Sequence, residues 1–432
     1  MTGRTTALLL AALAAPALGH AQAPARPVLS LEDATRLARE NQPLLRQAQA
    51  GTRSAQARAD QDRAALLPQV SAAGSYTIAT DNPARPPLTA TSGGWDTADS
   101  WLFSGKLSQL VWDFGRTREA WAASRARAEA QQDTERSTAL QVLLAARTGF
   151  FTARAAKDLV TVARESLANQ EAHLRQIQGF VEVGTRPEID LAQARTDRAN
   201  ARVQLINAEN GYEVAKAQLN QAMGVERSTD YDVADEALGP IPGEEQDTEA
   251  LLGEALAARP DVAALQAQVR AQEASVRSAQ GGYYPSLSVS TGLTQAGPRI
   301  DFGYWNWSAT ASLTWNLFQG GLTEAQAREA RAGLDGLASQ LAAARQQVRL
   351  EVEQARLAVR AAREAREAAG EALVNARERL RLAEGRYQTG AGSALEQGDA
   401  QLALTSAGAQ KVQADYSLSS ARALLLRALG RP

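Results

Sequence analysis

The side chains best placed to do chemistry in this sequence are carboxylates, and they recur after two glycine turns. One turn reads Val183-Gly184-Thr185-Arg186-Pro187-Glu188-Ile189-Asp190. The other reads Tyr387-Gln388-Thr389-Gly390-Ala391-Gly392-Ser393-Ala394-Leu395-Glu396, with Asp399 three residues further on. Gly184 and Gly390 supply the left-handed residue that ends a helix, while Thr185 and Ser393 can cap a returning one and Pro187 is tolerated in its first turn. Glu188, Asp190, Glu396 and Asp399 then fall in first turns, where a carboxylate favours the helix dipole. Glu396 and Asp399 are three apart and share a helix face. The chemistry open to such a pair is electrostatic: it attracts cations and repels anions.

Other chemistries lack their parts. There is no cysteine, so disulfides, thiolate metal sites, a cysteine nucleophile and a lipid-anchored cysteine are all excluded. Of the two histidines, His20 lies in a terminal leader and His173 stands alone on a helix, where a solvated surface residue is the expectation and a metal ligand is not. No G-x-S-x-G, H-E-x-x-H or Walker pattern occurs. The chain is expected to be no enzyme and to need no cofactor or metal. With 46 basic and 48 acidic residues it has no basic field for nucleic acid or an anionic surface.

The elements that position the carboxylates are written twice. Pro43 and Pro68 keep their spacing in Pro260 and Pro285, and VWDFGRT (111–117) aligns with LFQGGLT (317–323). The latter offset, 206 positions, also superimposes Val183-Gly184 on Thr389-Gly390 and AMG (222–224) on ALG (428–430). Each copy predicts a capped helix of about 35 residues, opened by Ser30 or Asp247 and ending at a proline. Two strands and a very long helix follow, from Arg116 to about Gln178 and from about Leu322 to Arg386. A return helix then ends near Met223 or Leu429. At 1.5 Å per residue the long helices reach roughly 90–100 Å and must pack against others. Abundant Ala and few aromatics, 5% of the chain, suit such close helix contacts.

The strands alternate with period two. Trp305, Trp307, Ala309, Ala311, Leu313, Trp315 and Leu317 interleave with Asn306, Ser308, Thr310, Ser312, Thr314 and Asn316. Leu287, Val289, Thr291 and Leu293 repeat the pattern, and Val70, Ala72, Tyr76 and Ile78 with Trp101, Phe103 and Leu107 give a weaker version. At about 10–13 residues they match a tilted transmembrane strand, and Tyr76, Trp101, Tyr304, Trp305 and Trp315 fall near the ends as an interfacial girdle would. A soluble sheet is the alternative. Against it, no helix remains to cover the apolar face, and the other face carries small hydroxyls and amides suited to a wet lumen. Four strands cannot close a barrel in lipid alone, so closure needs several copies.

The domain reading is a secretory signal peptide over 1–21 (cleavage after 21 or 23), a first repeat over 22–224, a connector over 225–246 and a second repeat over 247–432. Strands are expected at about 69–80 and 100–112 in the first repeat and at about 284–295 and 305–318 in the second. The helical hairpins are expected over 116–223 and 322–430. The acidic, aperiodic connector is expected to lie outside the helical part, and the loops 80–100 and 295–304 at the extracellular mouth.

This order of parts resembles the TolC family of outer-membrane efflux proteins. Gly115 after VWDF and Gly320-Gly321 after LF stand where the family leaves its barrel. The two turns match its tip pattern, Y-x-x-G-x-x-(S/T)-x-x-D-x-L-x-A. The resemblance implies a mainly α protein with a membrane β-barrel part, four strands per chain completing a 12-stranded trimeric barrel continued by a long helical barrel of coiled-coil hairpins in the periplasm. It implies an outer-membrane duct of a tripartite efflux pump or type I secretion system in a Gram-negative bacterium. Its partners would be its own copies, outer-membrane lipid, a periplasmic adaptor and an inner-membrane transporter. By the same resemblance Glu396 and Asp399 form an acidic ring at the channel entrance. Tyr387 and Asp190 form gate links, and the tips at Gly184, Thr185, Gly390 and Ser393 meet the adaptor. Gly392 occupies the place of the family's tip arginine, which leaves an arginine clamp either weakened or carried by Arg186. A soluble periplasmic coiled-coil scaffold or adaptor is the competing expectation.

Overall fold

A computed structural model describes residues 27–80, 97–300 and 305–432. The leader with its expected cleavage site, His20 and Tyr304 lie outside the described residues, as do 81–96 and 301–304 of the two expected loops. In chain order the elements are β1 (Val28–Leu29), α1 (Leu31–Asn41), α2 (Pro43–Ala64), β2 (Gln69–Thr80), β3 (Thr97–Trp112), α3 (Arg116–Glu182) and α4 (Glu188–Met223). They continue as β4 (Asp232–Val233), α5 (Thr248–Ala258), α6 (Pro260–Gly281), β5 (Ser286–Gly297), β6 (Asn306–Thr314), α7 (Leu322–Gln388) and α8 (Ala394–Ala428). The long helices α3 and α7 are both 67 residues and stand 206 positions apart at each end, so the duplication is structural as well as sequential.

The first helix of each repeat differs from expectation: it is two helices, not one. Gln42 and Arg259 adopt extended backbone with ψ of 120° and 122°, because a residue before proline is driven out of the helical region and Pro43 and Pro260 have no N–H to give. Ser30 caps α1 as expected by accepting from the Asp33 amide, whereas the Asp247 side chain makes no cap bond to α5.

The strands form one antiparallel sheet in the order β2-β3-β5-β6. Its register puts Val70 beside Leu107, Tyr76 beside Trp101, Val289 beside Ala311 and Leu293 beside Trp307. Those pairs lie on one face, and Ser71, Lys106, Ser108, Ser290 and Thr310 lie on the other. On the apolar face Val70, Trp307 and Leu313 are 81%, 70% and 69% exposed. The edges are β2 and β6. Aromatic contacts gather near both ends: Tyr76 with Trp101 at 4.5 Å, and Phe114 stacked on Tyr284 at 4.8 Å. β6 ends at Thr314 rather than running to 318, since its partner β5 begins at Ser286 behind Pro285, which cannot extend the ladder. β3 and β5 in turn extend into the expected loops, to Thr97 and Gly297.

The chain leaves the sheet through left-handed residues, Phe114 and Gly115 in the first repeat and Gly320 and Gly321 in the second. Each then enters a long helix. Two cores hold the midsection. One joins Leu29, Phe150, Phe151, Leu219, Met223, Tyr231 and Val233; the other joins Ile241, Leu251, Val262, Val348, Val352, Val359, Leu418 and Leu425. The connector is therefore more than an external strap, because its apolar residues Tyr231, Val233 and Ile241 are buried in those cores. Polar clamps fix it. Lys157 Nζ donates to the Val233 carbonyl at 2.7 Å, and Arg422 holds Glu244 in two hydrogen bonds of 3.0 Å. β4 also pairs in parallel with β1.

Candidate functional site

The two glycine turns end the hairpins as the sequence indicates, with Gly184 at φ +73° and Gly390 at φ +76°. Only glycine takes that conformation without steric cost. Their hydroxyls act differently. Ser393 Oγ accepts from the Glu396 amide at 3.2 Å and caps α8. Thr185 does not cap α4: its amide and its hydroxyl both donate to the Phe180 carbonyl at 2.9 Å, closing the end of α3. Pro187 takes the N-cap position of α4 instead of a place inside its first turn.

Tyr387, on the last turn of α7, crosses into the other repeat. It is 1% exposed and packs with Ile177 and Ala194, with Leu174, Phe180 and Leu191 around them. The Arg186 guanidinium sits over its ring, 4.6 Å from the centre, and the His173 ring meets it edge-on at 5.7 Å. Arg186 is thus in contact with Tyr387 from the first repeat. Asp190 is near enough to act electrostatically but makes no hydrogen bond to the phenol, whose oxygen has no partner. Burial pushes the Tyr387 phenol above its ordinary value; Arg186 opposes this and Asp190 adds to it.

His173 is not the solvated surface residue expected from sequence. It is half-buried, and its Nδ1 has no hydrogen-bond partner. Burial pushes its pKa below the ordinary 6.5, with Asp197 and Asp190 pulling the other way. Its place in this cluster was invisible in the sequence, because nothing local marks a contact with a residue of the other repeat.

The carboxylates of α8 occupy distinct settings. Glu396 Oε1 accepts from Arg386 Nη1 at 2.9 Å, so its charge is compensated within the chain, whereas Asp399 is exposed with no ion pair among the described residues. Arg386 is the tip residue that sequence reasoning missed; a basic residue in the last turn of α7 was the available signal. A Cβ at Gly392 would stand 3.1 Å from the Tyr387 amide nitrogen and the Arg386 Cβ, so an arginine there would be crowded. Among the described residues no three His, Asp or Glu side chains gather to hold a metal ion, and no helix is long and apolar enough to cross a membrane.

Known proteins share this architecture. Residues 34–225 and 251–431, one stretch in each repeat, match the outer membrane efflux protein family. The toluene efflux pump outer membrane protein TtgF of Pseudomonas putida is 26% identical over 56% of this chain and 48% of its own length. The chain thus spans about half the length of that relative. Outer membrane protein OprJ of Pseudomonas aeruginosa is 24% identical over 84% of this chain and 76% of its own. Among solved structures, VceC of Vibrio cholerae aligns with TM-score 0.82 at 19% identity, covering 93% of this chain and 96% of that one. The Campylobacter jejuni CmeC outer membrane channel gives TM-score 0.82 at 19% identity over 93% and 85%. The fold is that of these TolC-like channels.

Proposed function

The chain belongs to the outer membrane efflux protein family, and from that premise we propose that it is the outer-membrane duct of a tripartite efflux pump or type I secretion system. The observation that carries this reading is the sheet. An uncovered apolar face and a hydroxyl-lined face share four strands, and two 67-residue helices run out of it. Such a sheet is at home in lipid only if its edges are paired, and β2 and β6 are free to pair between copies. Three copies would close a barrel, with the helical hairpins continuing it into the periplasm.

In this reading the duct does no chemistry. Export is passive, and an inner-membrane transporter with its periplasmic adaptor supplies energy and selection. The hairpin tips around Gly184, Thr185, Gly390 and Ser393 would meet the adaptor. The Tyr387–Arg186 contact with Asp190 beside it would hold the entrance closed, and Asp399 with Glu396 would set its charge. Opening would be a shift of helices between two packed arrangements.

The test is fractionation followed by native mass measurement. The reading expects the protein in the outer-membrane fraction and a trimer in detergent. Release as a soluble protein on osmotic shock would support a periplasmic scaffold instead.

A further inference from the structure

A cavity of about 720 Å3 lies beside the tip cluster, walled by α3, α4 and α8 with Glu384 and Gln388 of α7. That volume falls within the range of small-molecule sites. Its lining holds Asp190 and Asp197 of α4, Glu384 of α7 and Asp399 of α8, and neither lysine nor arginine. None of these four carboxylates has an ion pair among the described residues. Elsewhere on the wall helices Glu171, Glu378 and Glu396 pair with Arg198, Arg381 and Arg386, while Glu182 and Glu188, outside the cavity, share the lack of an ion pair among the described residues. The cavity therefore gathers four carboxylates around one imidazole, His173, which Asp197 and Asp190 face; Asp197 also accepts from Gln193 Nε2 at 3.0 Å.

A second observation points to a ligand. Gln397 and Gln401 line the same cavity and are 6% and 7% exposed. Yet Oε1 of the first and Nε2 of the second have no hydrogen-bond partner. Native interiors pair nearly all buried polar atoms. The Gln397 oxygen is an acceptor suited to a cationic donor, whereas the Gln401 nitrogen is itself a donor.

The arrangement selects the kind of cation. Asp190 and Asp197 are two turns apart, about 10 Å along α4, and the α4 part of the wall reaches from Asp190 to Gln204, about 20 Å. No three acidic or histidine side chains among the described residues gather as a metal ion would require. Spread carboxylates with carboxamides between them suit a ligand whose own charges are spread. We propose that this groove binds a linear aliphatic polyamine, its ammonium groups meeting Asp190, Asp197, Glu384 and Asp399 in turn.

Calorimetry on the purified full-length chain in detergent tests this, with spermine as the probe and magnesium chloride at matched ionic strength as the competitor. The expected result is saturable spermine binding, one per chain, weakened at least about tenfold by Asp197→Asn, the loss of one charge-assisted contact. Asp399→Asn, on a different helix, should weaken it similarly, so poor folding of one variant does not decide the matter. Absence of saturable binding overturns the proposal, and so does wild-type affinity in both variants. Equal weakening by Glu396→Gln, outside the cavity, or stoichiometric displacement by magnesium would also overturn it. The measurement needs no conductance, so it fails or succeeds separately from the channel reading.

Discussion

Tyr387, at the end of the long helix of the second repeat, holds its ring 4.6 Å beneath the guanidinium of Arg186 in the turn of the first. The two hairpins are joined at their tips by an aromatic ring and a cation, and the phenol oxygen takes no part in the hydrogen bonding. Tyr387→Phe should therefore leave stability nearly unchanged, because it removes an unpaired buried hydroxyl. Tyr387→Ala should cost about 3–5 kcal/mol through the cavity it leaves, and Arg186→Ala about 0.5–2 kcal/mol. Denaturant midpoints of the detergent-solubilised protein give the order. If Tyr387→Phe were as damaging as Tyr387→Ala, a hydrogen bond rather than the ring would be the link.

His173 gives the same cluster a pH dependence. Burial lowers its pKa in the packed tip, so the unpacked form binds a proton first as pH falls. The cluster's stability is then fully present above the ordinary value of 6.5 and declines as pH drops below it. Hydrogen exchange of the tip amides should speed up on acidification through that region, and His173→Phe should remove the effect. An unaltered pH profile in that variant would show that another group titrates.

Arg422 and Glu244 clamp the connector with side chains only 10% and 7% exposed. Glu244→Ala leaves a buried guanidinium uncompensated and should destabilise by about 3–5 kcal/mol. Burial raises the Glu244 carboxyl, but hydrogen bonds from Arg422 and the Ile241 amide outweigh it and hold it below the ordinary 4.5. Its contribution is present above 4.5 and lost as pH falls beneath. Thermal melting should therefore drop on acidification below 4.5 in the parent, and drop less steeply in Glu244→Gln.

Neighbouring residues of β6 should respond oppositely to charge. Ala311 lies on the apolar face and Thr310 on the hydroxyl face. Ala311→Arg should cost about 2–4 kcal/mol if that face meets lipid near its middle, and Thr310→Lys should be tolerated. Heat resistance of the assembled protein reads both. Equal sensitivity would mean that the two faces see the same solvent.

How much of this was legible beforehand varies with the distance over which the determinants act. The interleaving of Trp305 to Trp315 with Asn306 to Asn316 is local, and it gave β6 its faces directly. The paired offset of Gly184 and Gly390 located both turns. Pro43 and Pro260 carried the signal for the broken helices, since a residue before proline is driven out of the helical region. The roles of Thr185, His173 and Arg386 were not legible. Thr185 chose between two nearby helix ends, and His173 depends on Tyr387 of the other repeat. Arg386 reaches Glu396 only because the turn folds back.

Glu396 is neutralised by Arg386 while Asp399 is not, so the two members of the proposed ring should contribute unequally. Block of current by divalent or trivalent cations should weaken more in Asp399→Ala than in Glu396→Ala. Unchanged block in the double variant would remove both from the entrance.

The central claim, a water-filled duct built from several copies, is tested most directly by single-channel recording of the purified protein in planar lipid bilayers. The account predicts discrete current steps carried by a trimer and favouring cations. A properly folded protein that yields no steps and remains in solution would contradict it.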